Sequence, residues 1–472
     1  MSSPIDILIV GFGAVGTVYG WVLSQNSNVR VTAIARSSYD EMSNGIRIES
    51  EKYGEISGWK PYRLVRNAEE ANDRAYKYII CSTKALPDLL PTASVLAPFL
   101  ESRHAQDTVD LEDGPCVVLI QNGIGIEHPL ASAYPSIPII SVVAWIGANL
   151  QPGGRVTHGM LEKLIMGLYT GEGSEPVEGE QVEDAFGDPH GYRKGPDGPE
   201  RLEEGKRRLK VFADLINTGG GTAVVVDDIQ PKRYEKNLWN AALSSLCTLS
   251  RCTVSQAVDP AVLPYTLPVV RRSMLEVMYV ARAWGYQEDV LPLRCVDEAI
   301  KITINNYQRP SQHSDPNTPF SPQRSDPSYG FPTEGDLAKE SFESSYNFKP
   351  SMLLDAEAGR PMELEPIIGS LLDRARAKGV PTPRLDMAYS ALKIQQDLAI
   401  RAYSSSATYQ EHIKNWLSRP PAVAGLGAAG RKAWERAIKK AELPEHEQGS
   451  VEMAGWRDKI PGKPVRADSK EI

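Results

Sequence analysis

The apolar positions of this chain fall into two regimes. Through the first half, short continuous runs of Val, Ile and Leu recur at residues 5–11, 29–35, 77–83, 116–122, 138–145, 161–169 and 222–227. Runs of this kind, lacking strict alternation, predict strands buried on both faces. They point to a parallel sheet with helices on each side. From residue 228 the strand-like runs stop and helical spacing takes over at 230–250, 259–285, 290–304, 362–379 and 384–402. The pattern therefore predicts an α/β fold, a doubly wound parallel sheet over residues 1–227 followed by an all-helical domain over 228–417. Two polar stretches interrupt it. Residues 171–206 are rich in Gly, Glu, Asp and Pro, and residues 307–348 in Ser, Pro, Asn and Asp; both are expected to be loops. A charged extension, 418–472, carries one helical pattern at 430–443.

Composition narrows the function classes. The 472 residues carry a net charge of −8, which argues against a nucleic-acid or anionic-membrane partner. No apolar run approaches the roughly 20 residues of a membrane span. The opening MSSPIDILIVGFG passes directly into a strand-like run, with no basic leader and cleavage site, so a cytoplasmic location is expected. The five cysteines (81, 116, 247, 252, 295) and seven histidines are dispersed, and neither a disulfide framework nor a metal site is expected.

The first strand runs into ILIVGFGAVGTVYG. Gly11, Gly13 and Gly16 form G-x-G-x-x-G between a strand and a helix, which makes the sheet Rossmann-type. The first glycine allows the tight turn, the second admits a pyrophosphate to the backbone, and the third lets helix and strand pack closely. Residues Gly11, Phe12, Gly13, Ala14, Val15 and Gly16 are thus the expected cofactor loop. An NAD site would place an acid at the end of the second strand. Here that strand ends in Arg36, Ser37 and Ser38, and the first acid is Asp40. A guanidinium with hydroxyls suits a 2′-phosphate, so NADP(H) is the expected cofactor. Lys84 and Asn122 end two further strand runs, at the rim where ligands of open α/β sheets bind.

In RYEKNLWNAALSSL, residues 233–246, an otherwise buried helix carries Lys236, Asn240 and Ser244 at every fourth position. A polar stripe headed by lysine is either a solvated face or the wall of a cleft. Taken with GFGAVG, the arginine after the second strand, STKA, QNGIG and the late block SMLLDAEAGRPMELEPIIG, the chain resembles the ketopantoate reductase (2-dehydropantoate 2-reductase) family. The likeness covers most of residues 5–170 and 207–402, and Ser351-Met352, Asp355, Gly359-Arg360 and Glu363 follow the family's order and spacing.

The resemblance implies that NADPH reduces a 2-oxo acid to a 2-hydroxy acid, with ketopantoate giving D-pantoate for pantothenate and coenzyme A synthesis. It implies Lys236 as general acid and Glu363 beside the nicotinamide and the substrate hydroxyls. Asn240 and Ser351 are implied to hold substrate, and Asn122 to be shared by substrate and cofactor. Lys84 and the backbone at Ala148 are implied on the cofactor side. A homodimer is compatible with it. Ser244, grouped with the substrate residues, stands where members commonly carry a second asparagine, and Val254 falls near a further one. A missing amide leaves polar groups of a pocket unpaired, at about 1–3 kcal/mol each. Three readings stay open: ketopantoate reductase, a reductase of the same fold acting on another ketone or 2-oxo acid, and a non-catalytic NADPH-binding sensor.

Overall fold

The structure, a computed structural model, describes residues 4–36, 38–106, 114–172, 198–308 and 348–407. The expected strands form at β1 (Ile5–Val10), β2 (Val29–Ile34), β6 (Tyr78–Cys81), β7 (Cys116–Leu119), β8 (Ile139–Gln151), β9 (Arg155–Leu168) and β10 (Ala223–Val225). With β3 (Ile46–Ser50), β4 (Gly54–Trp59) and β5 (Arg63–Val65) they belong to one sheet in the order β4-β3-β9-β8-β7-β6-β1-β2-β5, with β10 beside β9. The six strands β5, β2, β1, β6, β7 and β8 run parallel. Helices cover both faces. Ala14–Ser24 and Gly198–Thr218 pack on one side, and Thr92–Leu100 and His128–Ala133 on the other.

The sheet is mixed rather than wholly parallel. β8 and β9 form a long antiparallel hairpin, and β3 pairs antiparallel with β4. The cause is local. Pro152, Gly153 and Gly154 alone connect β8 to β9, with both glycines at positive φ, whereas a parallel pair needs a crossover of a dozen or more residues. β3, β4 and β5 escaped the sequence reading because they are short and partly exposed, so none carries a continuous apolar run.

The hairpin is pinned to the glycine-loop helix by a buried carboxylate. Glu162 accepts from the Tyr19 hydroxyl at 2.9 Å, Lys52 Nζ at 2.6 Å, the Tyr53 hydroxyl at 3.1 Å and the Thr222 amide at 2.9 Å. Four donors on one buried acid offset its desolvation and fix the helix that would carry a cofactor.

One expected loop is corrected. The polar stretch drawn through residue 206 is helical from Gly198, because Leu202, Leu209, Phe212, Ala213 and Ile216 recur on one face and pack on the sheet. Glu172, from the same stretch, is buried against Arg374 at 2.5 Å. Residues 309–347, the 418–472 extension and its expected 430–443 helix lie outside the described residues.

The second half is helical, as its spacing predicts, with helices at Gln230–Trp239, Leu263–Ala283, Arg294–Tyr307 and Pro383–Ser404 around one core. A helix at Ser351–Glu357 was not expected. Two π-helical segments, Asn240–Ser244 and Glu365–Gly369, interrupt α-helices that pack together. Asn237 Nδ2 donates to the Ile367 carbonyl at 2.9 Å between them. Among the described residues no helix is long and apolar enough to cross a membrane.

Candidate active site

The parallel strands β1, β2, β6 and β7 lead at their carboxyl ends into the glycine loop, Arg36, Lys84 and Asn122. Gly11 has φ +96°, and a Cβ there would lie 2.5 Å from the Thr83 nitrogen. At Gly16 a Cβ would come within 2.7 Å of the Gly11 carbonyl. At Gly13 it would meet nothing within 4 Å, so that stretch of backbone faces open space. The helix that follows has no side-chain cap on its N-terminus. Uncapped amides beside an open glycine fit the pyrophosphate of a dinucleotide. The Phe12 side chain, by contrast, is buried and packs toward Trp59 with ring centroids 6.2 Å apart, so only its backbone is available to a ligand.

At the end of β2, Arg36 is exposed. The nearby Asp40 is paired with Arg66 at 2.6 Å, and Arg66 lies over the Tyr39 ring at 4.0 Å. Asp40 is therefore held by the guanidinium of Arg66, which follows β5, the strand paired with β2. Ser37 lies outside the described residues. Arg66 was missed in the sequence because it belongs to a different strand end.

Lys236 projects from the Gln230–Trp239 helix toward β7 and β8. Its Nζ donates to Asn122 Oδ1 at 3.0 Å and to the Ala144 carbonyl, and it sits over the Trp145 ring at 5.6 Å. Asn122 Nδ2 in turn donates to Glu363 Oε2 at 2.9 Å, and the Ala85 amide donates to Glu363 Oε1 at 3.0 Å. The amide of Asn122 thus stands between ammonium and carboxylate, and Glu363 does not hold the ammonium directly. Burial brings the Lys236 pKa down to about 8, with Glu363 opposing and Arg233 adding to the fall. Burial pushes Glu363 up from the ordinary carboxylate range, against the hydrogen bonds from Asn122 and Ala85.

Arg233, three residues before Lys236, organises the wall behind it. The buried guanidinium pairs with Glu127 at 2.6 Å and donates to the Gln121 and Gly123 carbonyls, each at 3.0 Å. Those carbonyls flank Asn122, so Arg233 fixes the loop that presents it. The other side of that loop meets the second half of the chain. A Cβ on Gly123, at φ +97°, would lie 2.3 Å from the Pro366 carbonyl oxygen, and the Ile124 amide donates to that oxygen at 2.8 Å.

The polar stripe survives folding through the π segment. In an α-helix each four-residue step drifts about 40° around the axis. The wider turn of Asn240–Ser244 returns the fourth residue closer to the same face. Asn240 is half-buried and Ser244 is buried. Ser351 opens its helix at the surface. Lys84 and Arg360 both pair with buried Asp355, which ties the late block to the rim of β6.

Ala148 is expected as a backbone contact for the cofactor. It lies past a bulge in β8, opposite His158, while Ala144 and Trp145 of the same strand face Lys236. A carbonyl contact leaves no mark in side-chain identity, so sequence offered no signal for Ala144 or for the Ala85 amide. Arg233 did carry one, a basic residue one turn before the lysine.

An uncapped glycine loop together with a half-buried lysine held by the Asn122 amide and the Ala144 carbonyl defines a dinucleotide-dependent enzyme of the α/β class. The chain belongs to the ketopantoate reductase family, a family of oxidoreductases, matching "Ketopantoate reductase PanE/ApbA" over residues 7–171 and "Ketopantoate reductase PanE/ApbA C terminal" over residues 228–396. It is 22% identical to a 2-dehydropantoate 2-reductase of Nostoc, over 82% of this chain and 93% of that one. It is 23% identical to an uncharacterized protein of Saccharomyces cerevisiae, over 83% and 93%. The crystal structure of 2-dehydropantoate 2-reductase from Methylococcus capsulatus superposes with a TM-score of 0.57 at 25% identity, covering 85% of this chain and 99% of that one.

Proposed function

We propose that this protein reduces a 2-oxo acid to the 2-hydroxy acid with NADPH, and that the substrate is 2-dehydropantoate, giving D-pantoate in pantothenate and coenzyme A synthesis. The observation that carries the reading is the half-buried Lys236, held by Asn122 and with its pKa lowered to about 8. When bound, the reduced nicotinamide supplies the hydride. The chain's own residues do the rest. As negative charge builds on the ketone oxygen, the Lys236 ammonium stabilises it and donates the proton. Asn122, fixed by Glu363, aims the ammonium, which with the Ala144 carbonyl also accepting keeps one further N–H donor for the ketone oxygen. Asn240, Ser244 and Ser351 bind substrate, and Lys84 with residues 11–16 binds cofactor.

A specific observation supports a second reading, the same reduction on a different 2-oxo acid. Ser244 offers a hydroxyl in place of an amide, and Val254 is fully buried with an apolar side chain. Product analysis separates the two. D-pantoate accumulating mole for mole with oxidised NADPH supports the first. Product formed solely from another 2-oxo acid moves the assignment to the second.

The pH dependence follows from Lys236. The acid must carry its proton, so kcat/KM for reduction is expected to be level below about 8 and to fall as pH rises through it. Oxidation of the hydroxy acid needs the free amine and should rise over the same interval. A reduction rate that climbs between pH 7 and 9 contradicts the assignment.

Arg36 bears on the cofactor. Arg36→Ala should raise KM for NADPH about tenfold or more, the effect of losing one charge-assisted bond of about 1.5–3 kcal/mol, and leave NADH nearly unchanged. Equal changes for both cofactors would remove the 2′-phosphate role.

A further inference from the structure

The lysine helix ends in a turn that brings two cysteines together. The Ser245–Ser250 segment stops at Arg251, whose φ of 54° is the positive-φ value among the described non-glycine residues. The Cys252 amide then donates back to the Cys247 carbonyl at 3.1 Å. This six-residue closure is the Schellman arrangement, in which the side chains of the two terminal residues meet. Both ends are cysteine here, and the position that usually takes glycine is occupied by arginine. A backbone closure of this length also sets Cα atoms within the span a disulfide bridges.

The two thiols differ in access. Cys247 is buried and Cys252 is half-buried, with the Ser250 hydroxyl 3.1 Å from Cys252 Sγ. A hydrogen bond from Cys247 draws the Cys252 thiol below the ordinary range, against its partial burial. Cys247 is pushed up by the same bond and by burial. Cys81, Cys116 and Cys295 are buried with thiols raised chiefly by burial, and they serve as internal references.

The geometry points to Cys247 and Cys252 as a dithiol that a peroxide converts to an intramolecular disulfide. The Cys252 thiolate attacks hydrogen peroxide. The O–O bond breaks, hydroxide leaves, and a sulfenic acid forms on Cys252. Cys247 sulfur then attacks that sulfur, the S–O bond breaks, and water leaves with the Cys247 proton. The two thiols give up two electrons and two protons, and one peroxide becomes two waters. Cys247 is the resolving partner, and the backbone bond from the Cys252 amide to its carbonyl already holds the two residues together.

Oxidation of the folded full-length protein with limiting hydrogen peroxide tests this, followed by denaturation, alkylation of free thiols and mass analysis. Of the five cysteines, two should resist alkylation after oxidation and recover it after reduction. Trypsin cuts after Arg251, so the bridge should join peptides 237–251 and 252–271. Cys247→Ser should stop the reaction at Cys252, which then carries oxygen instead of a bridge. Unchanged alkylation at doses that oxidise exposed methionine would overturn the proposal. So would oxygen added to wild-type Cys252 with no joined peptide.

Discussion

Lys236→Ala should lower turnover of the 2-oxo acid by roughly a hundred- to ten-thousandfold, the range for losing a positioned general acid. The loss should fall on kcat, because the lysine's largest contribution comes when charge has built on the ketone oxygen. NADPH binding should change little, since the glycine loop, Arg36 and Arg66 stand on other strand ends. Lys236→Arg is a sharper probe. It keeps the charge but not the pKa near 8, and a guanidinium does not fit the pocket made by Asn122 Oδ1, the Ala144 carbonyl and the Trp145 ring. It too should fall at least a hundredfold. Steady-state kinetics beside NADPH fluorescence titration check both, and turnover of Lys236→Ala within a few-fold of wild type would remove the acid role.

Arg233→Met should cost about 3–5 kcal/mol of stability, the penalty for leaving one half of a buried ion pair. Glu127 has no exposure and would lose its cation, and the Gln121 and Gly123 carbonyls would lose a shared donor. A denaturation midpoint at unchanged slope reads the cost. The same variant has a second readout that a merely structural residue would not give. Arg233 lowers the Lys236 pKa, so its removal should move the alkaline limb of the pH profile upward. A stable variant with an unmoved profile would make Arg233 dispensable to both loop and lysine.

The legible parts of this chain were those written in side chains along one segment. Continuous Val and Ile runs gave β1, β2, β6 and β7 because a parallel strand buried on both faces has no polar side to alternate. The spacing of Gly11, Gly13 and Gly16 was equally local. Antiparallel β9 was not legible as such, because direction depends on the three-residue turn at Pro152–Gly154 and not on the strand's own residues. The helix from Gly198 was hidden by a composition that looked like a loop, since its apolar face is narrow among charged residues. At the site, Lys236, Asn122 and Glu363 were each named from sequence, but their order in space was not. That Asn122 stands between the other two depends on packing between residues 241 positions apart. Backbone partners such as Ala144 and Ala85 carry no side-chain signal at all.

The central claim is NADPH-dependent reduction of a 2-oxo acid. Its most direct measurement is the initial rate of NADPH oxidation, and separately of NADH oxidation, with purified protein and ketopantoate beside a panel of other 2-oxo acids. The account predicts rapid NADPH oxidation with ketopantoate, slower NADH oxidation, and a rate lost in Lys236→Ala. Tight NADPH binding with no turnover of any 2-oxo acid would contradict it.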